Sequence, residues 1–198
     1  MTDELFAGRT LDEALSAACA GLGARIGEIH YEVIEEDPAE SVKIAASIDP
    51  VAVLGLFLSE AFAAGGLEIR ARLEEADEAL TGELSGADTT LLTGNGGQAL
   101  DALQYLCNRV LDNRLREHLP VHLDCGGFKE RRADGLRQRA RETADRVARK
   151  GRPVTLPWMT PAARREVHVA LHDDDRVETE SEGSGFLKRV VIRPRRQR

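Results

Sequence analysis

Gly94-Asn95-Gly96-Gly97 is the first of three groups whose residue types and spacing point to chemistry. Behind this glycine-bracketed turn, Leu100, Leu103, Leu106, Cys107, Val110 and Leu111 recur at helical spacing, which sets it apart from the Asn-Gly turn of a hairpin. A GxxG turn feeding a helix N-terminus directs unpaired backbone N–H groups outward. There they and the positive end of the helix dipole can cradle a phosphodiester. The chemistry is a grip on the backbone of single-stranded nucleic acid. No cation stands in the turn, so shape and not charge carries this contact.

The second group is cationic. Arg164 and His168 lie four residues apart, so on a helix both reach one phosphate. The guanidinium is a forked donor, and the imidazole is a further donor that strengthens on protonation. Arg165 beside them, Arg152 at the end of a basic stretch 129–152, and Arg189 extend the same chemistry.

The third group holds potential metal ligands. His118, His122, Asp124 and Cys125 have no CxxC or HExxH spacing, and a solvated strand edge is the expectation. Asp173-Asp174-Asp175 offers a seat for Mg²⁺, yet no second carboxylate cluster meets it, and it reads as a turn after a helix. Neither serine nor cysteine sits in a nucleophile motif. The expectation is a binding protein with no catalytic residue, no metal and no cofactor.

Charge is distributed to match. The formal charge of −7 averages two unlike parts: residues 1–127 hold 8 Lys and Arg against 23 Asp and Glu, and residues 128–198 hold 19 against 11. A polyanion is expected to meet the C-terminal part, while the acidic front repels it except at shaped sites such as the glycine turn. Aromatic residues are only 4% of the chain, which argues against ring stacking as the main device of base recognition. No apolar run reaches the roughly 18 residues of a membrane span, and the acidic start MTDELFAGRT lacks the order of a signal peptide. Cys19, Cys107 and Cys125 form no CxxC pair, and two of them lie in helical apolar patterns. Buried free thiols in a reducing cytoplasm are expected.

Three modules would position these groups. Residues 4–46 read as β-α-β-β. Thr10 and Glu13 form a capping box for a helix with Leu11, Ala14, Leu15, Ala18, Cys19 and Leu22 on one face, ended by Gly21 and Gly23. A strand alternating Ile29, Tyr31 and Val33 with His30, Glu32 and Ile34 is followed, after the acidic turn 35–40, by a second with Val42, Lys43 and Ile44. Asp49-Pro50 then opens a helix carrying Leu54, Phe57, Leu58, Ala61 and Phe62, stopped by Gly65-Gly66. Residues 67–73 and 79–84 alternate as antiparallel strands. A short helical piece at 87–92 precedes the glycine turn, a long helix runs to about residue 116, and 121–124 is a final strand. The order is α-β-β-α-(GxxG)-α-β.

Beyond Gly126-Gly127, a helix over 128–150 keeps Ala133, Leu136, Ala140, Thr143 and Val147 inward and a row of arginines outward. A strand at 154–156, a helix capped by Thr160-Pro161, and a hairpin of 177–182 with 187–192 around Gly183-Ser184-Gly185 complete it. The expected fold class is α+β in modules 1–47, 48–127 and 128–194, with a basic tail 195–198.

Together these stretches resemble the bacterial Jag family, also called KhpB. The most specific are LDALQYLCNRV (100–110), GRPVTLPWMTPAARREVHVAL (151–171), VETESEG (177–183) and RVVIRP (189–194). Arg164-Arg165-Glu166-Val167-His168 carries the arginine, three residues and histidine that name the family's R-3-H domain. The resemblance implies a Jag N-terminal domain over 4–46, a type II KH domain over 50–125 and an R-3-H domain over 128–193. It implies binding of single-stranded RNA, post-transcriptional regulation tied to cell elongation and division, and an association with the membrane-insertase locus. It also implies pairing with a small single-KH protein, KhpA; pairing of the KH unit with itself is the alternative. The family's KH loop usually carries basic residues where this chain has Asn95-Gly96, and the Gly/Phe-rich loop that often follows the second N-terminal strand is missing. A rival from a different class is a protein-interaction scaffold whose glycine loop no longer binds RNA.

Overall fold

Capping chemistry starts most of the helices in the computed structural model, which describes residues 3–37, 41–76, 78–115 and 117–195. The tip of the turn at 35–40, the helix end expected near Arg116, and residues 196–198 of the basic tail lie outside the described residues. The chain forms two units, 1–126 and 127–198.

In the first unit, β1 (Glu4–Gly8), α1 (Leu11–Leu22), β2 (Ile29–Asp37) and β3 (Ser41–Ile48) make a β-α-β-β module with antiparallel sheet order β1-β3-β2. Thr10 Oγ1 accepts from Glu13 N–H at 3.2 Å, and Glu13 returns a carboxylate oxygen to Arg9 N–H at 2.9 Å. The capping box is therefore closed one residue further out than the sequence suggests. Ala14, Leu15 and Ala18 of α1 pack on Ile29, Val42, Ile44 and Ala46. A bulge between Val33 and Glu35 breaks the alternation of β2 and leaves Ile34 exposed. Lys43 faces solvent and pairs with Glu35 at 2.6 Å.

The same unit continues with α2 (Pro50–Ala64), β4 (Arg70–Ala76), β5 (Ala79–Ser85), α3 (Thr89–Arg114) and β6 (Val121–Asp124). Asp49 Oδ1 accepts from the N–H groups of Val51 and Ala52 at 2.8 and 3.1 Å. At the other end of α2, Leu67 N–H donates to the Phe62 carbonyl at 2.9 Å. This wrap consumes the residues expected to begin the next strand, so β4 starts at Arg70. The second sheet has order β4-β5-β6, antiparallel then parallel, with α3 as part of the crossover that a parallel pair requires. Leu54, Leu58, Leu80, Leu84, Leu100, Leu111 and Leu123 are fully buried.

The most specific stretch of α3 has a structural cause. Gln104 and Asn108, one turn apart, accept from Leu123 N–H and Val121 N–H, both at 3.0 Å. Two side-chain amides thus satisfy backbone groups of β6 that strand pairing does not reach. Gly86, at φ 139°, tolerates no side chain: a Cβ there would lie 1.9 Å from the Glu68 carbonyl oxygen.

One buried carboxylate ties the two sheets' helices together. Glu28, only 1% exposed, accepts from Arg25 N–H at 2.9 Å and from the Arg25 guanidinium at 2.9 and 3.0 Å. Arg114, at the end of α3, lies 3.5 Å from the same carboxylate and donates to the Gly23 carbonyl at 2.8 Å.

The second unit holds α4 (Phe128–Lys150), β7 (Val154–Thr155), α5 (Pro161–Ala170), β8 (Val177–Glu182) and β9 (Arg189–Pro194), in an antiparallel sheet of order β7-β9-β8. Ala140, Ala144 and Val147 of α4 and Val167 and Leu171 near α5 bury Val177, Val190 and Ile192. The hairpin's return strand was expected from Leu187 but begins at Arg189, because Lys188 makes a separate bridge to Met159. Among the described residues, no helix is long and apolar enough to cross a membrane.

Candidate nucleic-acid interface

The helix α3 is broken where the glycines stand. Gly94 is extended (φ −58°, ψ 161°), and Asn95, Gly96 and Gly97 follow at φ 50°, 72° and 80°. Three successive left-handed residues explain the composition, since only glycine and a few residues such as asparagine enter that region readily. A Cβ placed on Gly94 or Gly96 meets nothing within 4 Å, so the outer side of the turn is open. Gly97 is buried against the fold. The turn can offer a strand its backbone amides and the start of the resumed helix, but no cation, and Asp101 follows within the next turn.

Arg164 and His168 share one face of α5, whose start is fixed by Thr160 Oγ1 accepting from Ala163 N–H at 3.4 Å. Both are held by internal partners. Arg164 Nη1 donates to the carbonyls of Met159 and Phe186, each at 3.1 Å, which fastens the start of α5 to the β8–β9 connection. His168 lies between two hydroxyls of β8, with Nδ1 2.7 Å from Thr179 Oγ1 and Nε2 2.9 Å from Ser181 Oγ. Partial burial and the charge of Arg164 hold the imidazole below the usual histidine range, so it is neutral at pH 7. A neutral ring has one donor and one acceptor nitrogen. One hydroxyl therefore donates to it, while the other accepts and keeps its own O–H for a further partner. Thr179 and Ser181 are neighbours of His168 that sequence reading missed, although the T-x-S alternation inside VETESE places them on one strand face.

The remaining cations fall elsewhere. Arg189 pairs in register with Glu182, on the face of the hairpin opposite Thr179 and Ser181, and its guanidinium sits 4.4 Å from the ring centroid of Trp158. Arg165 and Arg152 are exposed, the latter just past the Gly151 cap of α4. Four arginines take up most of the unit's carboxylates: Arg137 binds Glu130, Asp134 and Glu166; Arg176 binds Asp145 and Asp174; Arg193 binds Glu180 and Glu182; Arg195 binds Asp175. Arg139, Arg141, Arg149, Lys150, Arg152 and Arg165 make no ion pair among the described residues. Arg146, Arg164, Lys188 and Arg189 likewise have no carboxylate partner among the described residues and meet only neutral groups where a contact is made.

The residues weighed as metal ligands are engaged differently. His118 Nδ1 lies 2.7 Å from Asp112, His122 is exposed, and Cys125 is buried. Asp174 and Asp175 are tied to Arg176 and Arg195. Among the described residues, no three His, Cys, Asp or Glu side chains are grouped to hold a metal. Burial pushes the Cys107 thiol up to about 12, so at neutral pH it is no nucleophile.

Residues 134–194 match the family model of the R-3-H domain, and residues 6–38 match that of the Jag N-terminus. The class is thus a multi-module α+β protein with a Jag-type start and an R-3-H unit. The RNA-binding protein KhpB of Clostridium symbiosum is 30% identical, over 96% of this chain and 90% of its own. KhpB of Bacillus subtilis is 27% identical over 96% and 97%, and that of Lactiplantibacillus plantarum 35% identical over 53% and 34%. The chain belongs to the KhpB family.

Proposed function

We propose that this chain binds single-stranded RNA, without catalysis, and acts as a post-transcriptional regulator. The observation that carries the reading is the group of cations on the second unit that its carboxylates leave unpaired, Arg152, Arg165 and Arg139, Arg141 and Arg149 of α4 among them; the name borne by the relatives agrees with it. Arg152 and Arg165, with the arginines of α4, meet phosphates. Arg164 and His168 act mainly by shaping the surface, with the hydroxyls of Thr179 and Ser181 as neutral donors beside them. Residues 48–127 serve as a type II KH module between modules 1–47 and 128–194. Its turn Gly94–Gly97 contributes a contact based on backbone shape. The setting is the cytoplasm, the protein partner a small KH protein or a second copy, and the process cell elongation and division.

The test is fluorescence anisotropy of a mixed-sequence single-stranded RNA with wild type, Gly96→Asp and Arg164→Ala/His168→Ala. Weakening by both variants supports two contact regions. Weakening by the second alone leaves the glycine turn a structural role. A scaffold function is the second reading, favoured by the uncharged turn and the acidic front of 23 carboxylates against 8 cations. It requires a protein partner that stays bound to the full chain after nuclease treatment, and a wild type that does not bind RNA.

A further inference from the structure

The sparse aromatic residues of the second unit are not spent in its core. Trp158 is 52% exposed and Phe186 is 70% exposed. Single exposed rings are ordinary on protein surfaces, but these two stand on backbone fixed by the same side chain. Arg164 donates to the carbonyl of Phe186 and to that of Met159, the residue after Trp158. Met159 and Lys188 exchange backbone hydrogen bonds at 2.9 and 3.2 Å, which closes the connection from the other side. Trp158 is itself held: Arg189 covers its ring, and Gly183, at φ 117°, leaves room for it, since a Cβ there would lie 3.1 Å from the ring.

The surroundings select the ligand. Glu180 and Glu182, the carboxylates nearest Arg189 along β8, are bound by Arg193, so Arg189 and Lys188 present positive charge beside the rings. Exposed π-faces on rigid backbone, flanked by cations and not by free carboxylates, match a base with its phosphate. An apolar protein partner would gain from the rings but would have to desolvate these cations. A duplex keeps its bases stacked inside and offers the rings nothing.

We propose that Trp158 and Phe186 form a stacking platform for unpaired bases of single-stranded RNA, with Arg189 as the cationic backing of Trp158. In this arrangement Arg164 is a positioning residue that sets the distance between the two rings. The proposal rests on the RNA-binding reading and makes it specific for single strands.

Trp158 is the only tryptophan of the chain, so its emission reports on the site directly. The full-length protein is titrated with a ten-nucleotide oligouridylate, with the same backbone lacking bases, and with a ten-base-pair RNA duplex, and labelled-RNA anisotropy is recorded in parallel. The expected result is quenching by the single strand only, with weaker binding of the base-free strand and the duplex. Trp158→Ala and Phe186→Ser each weaken single-strand binding by about tenfold, in line with about 1–3 kcal/mol per stacked base. Trp158→Phe, which keeps a ring, stays close to wild type. If wild type binds the single strand but its emission is unchanged and both ring deletions bind equally well, the platform falls and the RNA reading stands. Tight wild-type binding of the base-free strand also overturns the platform. If wild type binds no RNA, both fall.

Discussion

At the scale of single residues, His168 is the side chain whose role changes most between its sequence pattern and its environment. An arginine and a histidine one turn apart suggest two charged donors, but the ring is neutral and already bonded on both nitrogens. Because its proton affinity is lower in the folded state than in the unfolded chain, folding competes with protonation. The contribution is fully present above the unfolded histidine pKa of about 6.5 and is lost as pH falls below it toward the folded value. Thermal unfolding followed from pH 7.5 to 5 should therefore show wild type losing Tm faster than His168→Gln. Parallel curves would contradict the assignment. Arg164→Ala removes a guanidinium that holds two carbonyls and should cost about 2 kcal/mol in chemical denaturation. Arg164→Lys should recover only part of that, because an ammonium lacks the fork.

Among the elements, α3 carries the clearest signals and the clearest limits of reading a sequence. The glycine turn was legible, since the four residues are of types that accept left-handed backbone and the apolar spacing beyond them is helical. What could not be read was which glycine is obligatory. Gly94 is extended with open space around it, and Gly96 sits at φ 72°. Gly94→Ala should be neutral or stabilising by a few tenths of a kcal/mol, and Gly96→Ala should destabilise by about 1 kcal/mol. Equal effects in urea unfolding would mean that the turn has a different conformation. The amides of Gln104 and Asn108 were also invisible beforehand, because their partners lie across a crossover in β6. A double change to Ala leaves two β6 N–H groups unpaired and should cost about 2–4 kcal/mol. Strand limits slipped for local reasons: a C-terminal wrap delays β4, a bulge reorients Ile34, and the Met159–Lys188 bridge delays β9.

For the whole molecule, composition separated an acidic front from a basic back, and the ion pairs show which cations of the back are left without a carboxylate. The arginines of α4 and its neighbours divide into those that bind carboxylates and those that do not, a distinction set by tertiary contacts that no spacing rule contains. Aromatic content misled in the opposite direction: a low total argued against stacking, although Trp158 and Phe186 of the second unit are displayed on the surface. In the first unit, burial pushes the Glu28 carboxyl up, but hydrogen bonds from Arg25 and the charges of Arg114 and Arg25 outweigh it and hold it below the usual range. Its stabilising contribution is present above the unfolded carboxyl pKa of about 4.3 and is lost as pH falls below that. Glu28→Gln should lower stability by about 3 kcal/mol, because the cations around the site lose their counter-charge.

The most direct test of RNA contact by the second unit's unpaired cations is the salt dependence of binding, measured for wild type and for Arg152→Ala/Arg165→Ala. Each phosphate contact on a single strand contributes about −0.7 to the slope of log K against log salt. The wild type is expected to show a steep negative slope, and the variant a slope shallower by about 1.4. An unchanged slope in the variant, or a wild type with no slope at all, would contradict the assignment of these cations to RNA phosphates.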